Sequence, residues 1–201
     1  MNIGVLGGTF DPIHNGHLIV AEEARAWLNL AGVIFVPTGQ PWLKAASPFS
    51  AAEHRVQMVR LAIADKPHFN LSTVEIERPG PSYMVDTMAE LQSRLGSEDE
   101  LFLILGWDSL AELPQWQEPS QLITMCHLVA VSRPGYSRPN LKKLEALVPG
   151  LTQRVVILDK SRVDISASVI RDRLIRGLSI RHLVPTPVNE YIKQHRLYVG
   201  D

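Results

Sequence analysis

Short unbroken apolar runs alternate along this chain with stretches in which apolar positions recur every three or four residues. A run of the first kind reads as a strand buried on both faces, and the second period as a helix with one face turned inward. The runs fall at 3–6, 33–36, 69–72, 101–105, 128–131 and 155–158. A helix over 18–28, opening near Gly16, is predicted to bury Val20, Ala24, Trp27 and Leu28. A second, from Ala51 to about Ala64, would bury Val56, Val59 and Ile63, with Ser50 as N-cap and Glu53 completing a capping box. A third follows Ser82, its expected cap, and lines Met84, Met88, Leu91 and Leu95 along one face. Residues 167–176 form a helix stopped by Gly177, and 188–195 a short closing one. Strands separated by helices imply an α/β fold, a doubly wound, mostly parallel sheet covered on both faces. Ligands of such sheets bind beyond the carboxyl ends of the strands, at the switch in strand order.

Length and composition narrow this to one domain over 1–201, with a small C-terminal helical extension from about residue 160. Hydrophobic residues make up 45% of the chain, enough for a sizeable core. The formal net charge of -1 leaves no electrostatic footprint for nucleic acid or for a membrane surface. A polyanionic ligand would therefore need local positive potential. The single cysteine, Cys126, excludes an internal disulfide, and its apolar neighbours place it in the core. The chain enters a strand at once, without a signal-peptide pattern, and no apolar run is long enough to span a bilayer. The cytoplasm is the expected compartment. The oligomeric state is left open, a homo-oligomer included.

The chemistry concentrates in Gly7-Gly8-Thr9-Phe10-Asp11-Pro12-Ile13-His14-Asn15-Gly16-His17, the turn from the first strand into the first helix. Gly7 and Gly8 allow a ligand close to the backbone. The helix start directs free N–H groups and the positive end of its dipole into the same space, which suits a phosphate. His14 and His17 add donors that can follow a phosphate as its charge shifts. The spacing is neither a P-loop nor a dinucleotide fingerprint. A metal pair is disfavoured, because no Cys or carboxylate of ligand spacing stands nearby. Asp11-Pro12 reads equally as a plain turn. Elsewhere, Lys44 is a mobile point charge suited to phosphate, and Asp108, at the end of the strongest strand, is placed to accept from ribose hydroxyls. Ser166 is an expected N-cap, and Ser168 and Arg171 lie three apart on one helical face.

The first of these runs resembles the signature of the nucleotidylyltransferase superfamily, and in its full length that of the bacterial nicotinate mononucleotide adenylyltransferase family. Asp164-Ile165-Ser166-Ala167-Ser168-Val169-Ile170-Arg171 resembles the superfamily's second signature, and Pro81-Ser82-Tyr83-Met84-Val85-Asp86-Thr87 a segment of the narrower family. Met84 replaces the usual threonine there, and Trp42-Leu43 replace a Pro-His pair before Lys44. The resemblance implies a Rossmann-like nucleotidylyltransferase fold and the joining of ATP to nicotinate mononucleotide, giving the deamido dinucleotide and pyrophosphate. It assigns catalysis to His14 and His17. ATP would be met by Gly8, Thr9, Phe10, Gly16, Gly106, Asp108, Ile165, Ser166, Ser168 and Arg171. The mononucleotide would be met by Lys44, Ser82, Tyr83, Met84 and Trp116, the last stacked on the pyridine ring. His54, Arg55 and Arg133 are further candidate phosphate contacts. No carboxylate cluster offers a magnesium cage, so Mg²⁺ is expected to arrive on ATP, with waters filling its shell. The alternatives are another superfamily enzyme, such as the phosphopantetheine type, and a non-catalytic nucleotide sensor. A metal hydrolase ranks last.

Overall fold

The strand that opens the chain, β1 (Asn2–Gly8), is flanked on both sides, and this sets the architecture. The computed structural model describes residues 1–40, 49–96, 98–132, 134–159 and 164–199. Beside β1 run β2 (Gly32–Pro37) and β4 (Glu100–Gly106). Outside them lie β3 (Phe69–Leu71), β5 (Cys126–Val131) and β6 (Val155–Leu158). The six strands are ordered β3-β2-β1-β4-β5-β6, and every pairing is parallel. The order reverses between β1 and β4, so a crevice opens beyond the carboxyl ends of those two strands.

Alternate residues of each strand enter opposite cores. Val5, Leu101, Leu103, Leu105, Leu128 and Ala130 pack into one. Leu6, Phe102, Ile104, Val129 and Val131 pack into the other. Covering on both faces is what turned the strands into unbroken apolar runs. Helices α1 (Asn15–Trp27), α2 (Ala52–Ile63), α8 (Ala167–Ile175) and α9 (Thr186–Gln194) give buried residues to the second core. Helices α4 (Met84–Arg94), α6 (Pro119–Met125) and α7 (Leu141–Leu147) give theirs to the first. Short helices α3 (Val74–Glu77) and α5 (Trp107–Glu112) follow β3 and β4 closely. Cys126 is buried as expected, and burial pushes its thiol up to about 12.

Three local expectations need correction. The inward face of α1 is Leu18, Ala21 and Ala24, while Trp27 is 63% exposed. Val20 and Leu28 only lean on the core. Ser50 does not cap α2, whose N-cap is Ala51. The Ser50 N–H is spent on Asp11 Oδ2 at 3.3 Å, and its carbonyl accepts from Arg55 Nε at 3.0 Å. Nor does Ser82 cap α4, where Tyr83 holds that position. Ser82 Oγ instead accepts from the Gln40 N–H at 3.0 Å. The Ser50 side chain bonds Tyr198, so in both cases a longer-range partner takes the hydroxyl from the local cap.

Candidate active site

The turn between β1 and α1 is closely packed. Phe10 takes φ +49 and is 1% exposed, its ring edge-on to His17 at 5.0 Å and 5.9 Å from Phe35. A side chain at Gly8 would stand 3.2 Å from that ring, so glycine is what lets the turn fold flat over it. His14 is the N-cap of α1, and its N–H donates to His17 Nδ1 at 3.2 Å. The two imidazoles stack at 3.6 Å and 19°. An Nδ1 that accepts carries no proton, so a neutral His17 keeps its proton on Nε2. The fold thereby selects the tautomer.

Beneath the turn lies a polar network joining distant segments. Asp11, 1% exposed, accepts from the Tyr198 hydroxyl at 2.6 Å and from the Ser50 N–H. Its carbonyl accepts from Arg171 Nη1 at 2.7 Å, which ties the first signature run to α8. Asp11 thus serves structure, the plainer of its two readings. Burial pushes the Tyr198 hydroxyl well above the ordinary phenol range, and the bond to Asp11 adds to it. Arg55, 4% exposed, donates to the carbonyls of Ser50, Thr9 and Thr38. This corrects its assignment as a phosphate contact, because its guanidinium already clamps the two loops. Desolvation lowers its basicity, and nearby Asp11 is the first charge opposing that. His54 is corrected likewise: its Nδ1 lies 2.8 Å from the Tyr191 hydroxyl and its ring faces His195, so it packs on α9.

A cleft of about 420 Å³ opens at the β1–β4 switch. Gly8, Thr9, Phe10, His14, Gly16 and His17 line one wall. Gly106 and Asp108 line the floor beyond β4, and Ile165, Ser166, Ser168 and Arg171 the opposite wall. All of these were read as ATP-binding or catalytic from sequence. Phe49, Ser109 and Ser132 also face it without having been singled out. Ser166 caps α8 as expected, accepting from the Val169 N–H at 3.3 Å, and its hydroxyl lies 3.1 Å from that of Ser168. Gly106 caps α5, and a side chain there would collide with the Asp108 carboxylate. A larger, open depression of about 700 Å³, lined by Leu18, Glu22, Lys66 and His68 among others, contains no candidate residue. We place the chemistry in the smaller cleft, where the polar groups converge.

The segment read as the mononucleotide side adjoins the cleft without lining it. A side chain at Gly7 would meet the Met84 methyl at 2.9 Å, so the start of α4 lies against the end of β1. Trp116 follows the 3-10 turn Leu113–Gln115 and is partly buried against the core that Met84 also joins. Its indole N–H is buried without a hydrogen-bond partner among the described residues. Lys44, with Trp42 and Leu43, and Arg133 lie outside the described residues. Sequence reasoning missed Glu75 and Tyr198. Glu75 stands in Glu75-Ile76-Glu77-Arg78, where nothing separates it from the charged residues around it, and Tyr198 follows the last predicted helix. No group of three or more His, Cys, Asp or Glu that could hold a metal occurs among the described residues. No described helix is long and apolar enough to cross a membrane.

Comparison with known proteins agrees with this geometry. The cytidylyltransferase-like family matches residues 5–173. A Dehalococcoides mccartyi (strain CBDB1) protein named "Probable nicotinate-nucleotide adenylyltransferase" is 48% identical over 198 residues, covering 98% of this chain and 97% of its own. One of the same name from Roseiflexus sp. (strain RS-1) is 45% identical over 196 residues, covering 98% and 97%. Among solved structures, the Plasmodium falciparum nicotinic acid mononucleotide adenylyltransferase complexed with NaAD superposes with a TM-score of 0.77 at 18% identity. That match covers 98% of this chain and 97% of the other, and shows the shared fold.

Proposed function

The chain belongs to the nicotinate-nucleotide adenylyltransferases of the cytidylyltransferase-like family, and from that premise we propose how its own residues perform the reaction. The enzyme joins ATP and nicotinate mononucleotide into nicotinate adenine dinucleotide and pyrophosphate. The mononucleotide 5′-phosphate attacks the α-phosphorus of ATP in line, and the bond to the β-phosphate bridge breaks. Such a transfer needs positioning and charge neutralisation more than covalent help. One observation carries the reading. Two signature segments 160 residues apart in sequence meet at one cleft, and Arg171, which lines it, bonds the Asp11 carbonyl.

His17, its proton held on Nε2, donates to the oxygens on which charge grows as the α-phosphoryl group transfers. His14, stacked on it, supports that orientation and binds phosphate. Arg171 keeps further donors beyond the one on Asp11 and grips the pyrophosphate end with Ser168 and Thr9. Asp108 accepts from the ribose, and Lys44 meets phosphate. The amides at the start of α4 receive the pyridine carboxylate, with Trp116 against the ring. The chain's own donors suit phosphates better than a cation, so Mg²⁺ would arrive with ATP and would supply neutralisation of phosphate charge there. We place the reaction in the cytoplasm, which a free cysteine suits.

Pyrophosphate release from ATP, measured with nicotinate mononucleotide, its amide, phosphopantetheine and glycerol phosphate, tests this reading. Nicotinate mononucleotide should support the highest kcat/KM. Preference for phosphopantetheine or glycerol phosphate would confine the assignment to the superfamily, and no release with any acceptor would leave a nucleotide-binding module.

A further inference from the structure

Glu75 is a buried charged residue that the mechanism above does not use. It lies on α3 and is 2% exposed. A carboxylate at that depth is costly unless donors meet it. Here the Thr87 hydroxyl donates to Oε1 at 2.8 Å, and the Ser82 hydroxyl and the Gly39 N–H also bond the side chain. The donors come from the loop after β2, from the segment entering α4 and from the first turn of α4. Loop and segment are tied further, because the Gln40 N–H donates to Ser82 Oγ at 3.0 Å and the Ser82 N–H to the Gln40 carbonyl at 2.9 Å. Gly39 approaches so closely that any side chain there would strike the Glu75 carbonyl. Arg78 Nη2 donates to Thr87 Oγ1 and to Glu90 Oε2, each at 3.2 Å, which sets a positive charge beside the cluster. Burial pushes the Glu75 carboxyl above the usual range, and the bonds from Thr87 and Ser82, then the Arg78 charge and the bond from the Gly39 N–H, oppose the rise.

We propose that Glu75 is the positioning residue of the acceptor half of the site, holding the start of α4 against the loop after β2 so that the amides that receive the pyridine carboxylate keep one geometry. The proposal rests on the reading of that helix start as the acceptor site. Packing alone does not call for a carboxylate. Val74 beside it, with Val85 and Met88 on α4, is already buried, and a well-packed apolar residue commonly stabilises as well as a buried charged cluster or better. What an apolar residue lacks is direction. Only a group with several acceptor lone pairs fixes three donors from separate segments relative to one another. The Gly39 amide cannot turn to accept, so glutamine at 75 leaves donors competing for one oxygen.

Steady-state kinetics on full-length Glu75→Gln, Thr87→Val and Thr87→Ser, varying each substrate in turn, test this. Glu75→Gln and Thr87→Val should raise the KM for nicotinate mononucleotide about tenfold, the scale of one charge-assisted bond. The KM for ATP and the saturated kcat should stay at wild-type values, because the phosphate cleft is untouched. Thr87→Ser keeps the hydroxyl and should restore the mononucleotide KM. The Glu75→Gln/Thr87→Val double variant should be no worse than the poorer single, since both act through one cluster. An unchanged mononucleotide KM in Glu75→Gln, or both KM values rising together, overturns the proposal. Should Glu75→Gln fail to fold, equal mononucleotide KM values in Thr87→Val and Thr87→Ser overturn it. A wild type that makes no dinucleotide from nicotinate mononucleotide defeats the functional reading. A wild type that does, matched by Glu75→Gln, defeats only this inference.

Discussion

His17 shows how far a residue can be understood from its neighbours in sequence. Its place in a glycine-rich turn, three residues after His14, marked it as a phosphate ligand, and it lines the cleft. Its tautomer was not legible, because that depends on the His14 N–H reaching Nδ1 in the folded turn. The role assigned to Nε2 is stabilisation of charge that exists mainly in the transition state. His17→Ala should therefore lower kcat by about 10²–10³ and change ATP affinity far less. Parallel measurement of turnover and nucleotide binding checks it, and near-normal turnover would remove His17 from the chemistry. Arg55 did not read correctly from sequence, and Asp11 read two ways, for one physical reason. Each satisfies itself against groups far along the chain, Arg55 on Thr9 and Thr38, Asp11 on Tyr198. A buried ion and a ligand-binding ion look alike until their partners are seen.

At the scale of elements, the strands were legible to within a few residues because burial on both faces makes each an unbroken apolar run. The long helices were legible from their period. Helices α3, α5, α6 and α7 were not, since four to seven residues hold too few turns for a period to show. The caps divided by reach. Ser166 caps α8 because nothing distant claims its hydroxyl, whereas Ser82 is claimed by Gln40. That capped helix carries Arg171 to the cleft with one Nη on the Asp11 carbonyl, and the proposed function gives the rest of its fork to the phosphates of ATP. Pyrophosphate is bound in the ground state and the transition state alike. Arg171→Ala should consequently raise the KM for ATP strongly and that for the mononucleotide little. The thermal midpoint should fall modestly with the lost carbonyl bond, about 0.5–1.5 kcal/mol. The reverse kinetic pattern would move Arg171 to the acceptor side.

For the whole molecule, the order β3-β2-β1-β4-β5-β6 puts the loops after β1 and β4 side by side, and in the proposed function the acceptor side decides which pyridine nucleotide is used. Nicotinate and nicotinamide mononucleotides differ only in a carboxylate against a neutral amide. A helix start offers donors and a positive dipole end, and a carboxylate accepts from all of them. The amide must turn its NH₂ towards an acceptor. Of the nearby carboxylates, Asp86 is exposed to solvent and Glu75 already takes donors from Thr87, Ser82 and Gly39. Facing donor against donor costs about 1–3 kcal/mol. The acid should therefore be favoured in kcat/KM by at least about tenfold, at about 1.4 kcal/mol per factor of ten. Trp116→Ala should weaken both acceptors together, because a ring stacked on a ring does not sense which substituent it carries. Kinetics with both acceptors on wild type and Trp116→Ala read this directly. Equal efficiencies in the wild type would show that the start of α4 does not read the carboxylate. A loss confined to one acceptor in Trp116→Ala would place the indole at the substituent instead of the ring face.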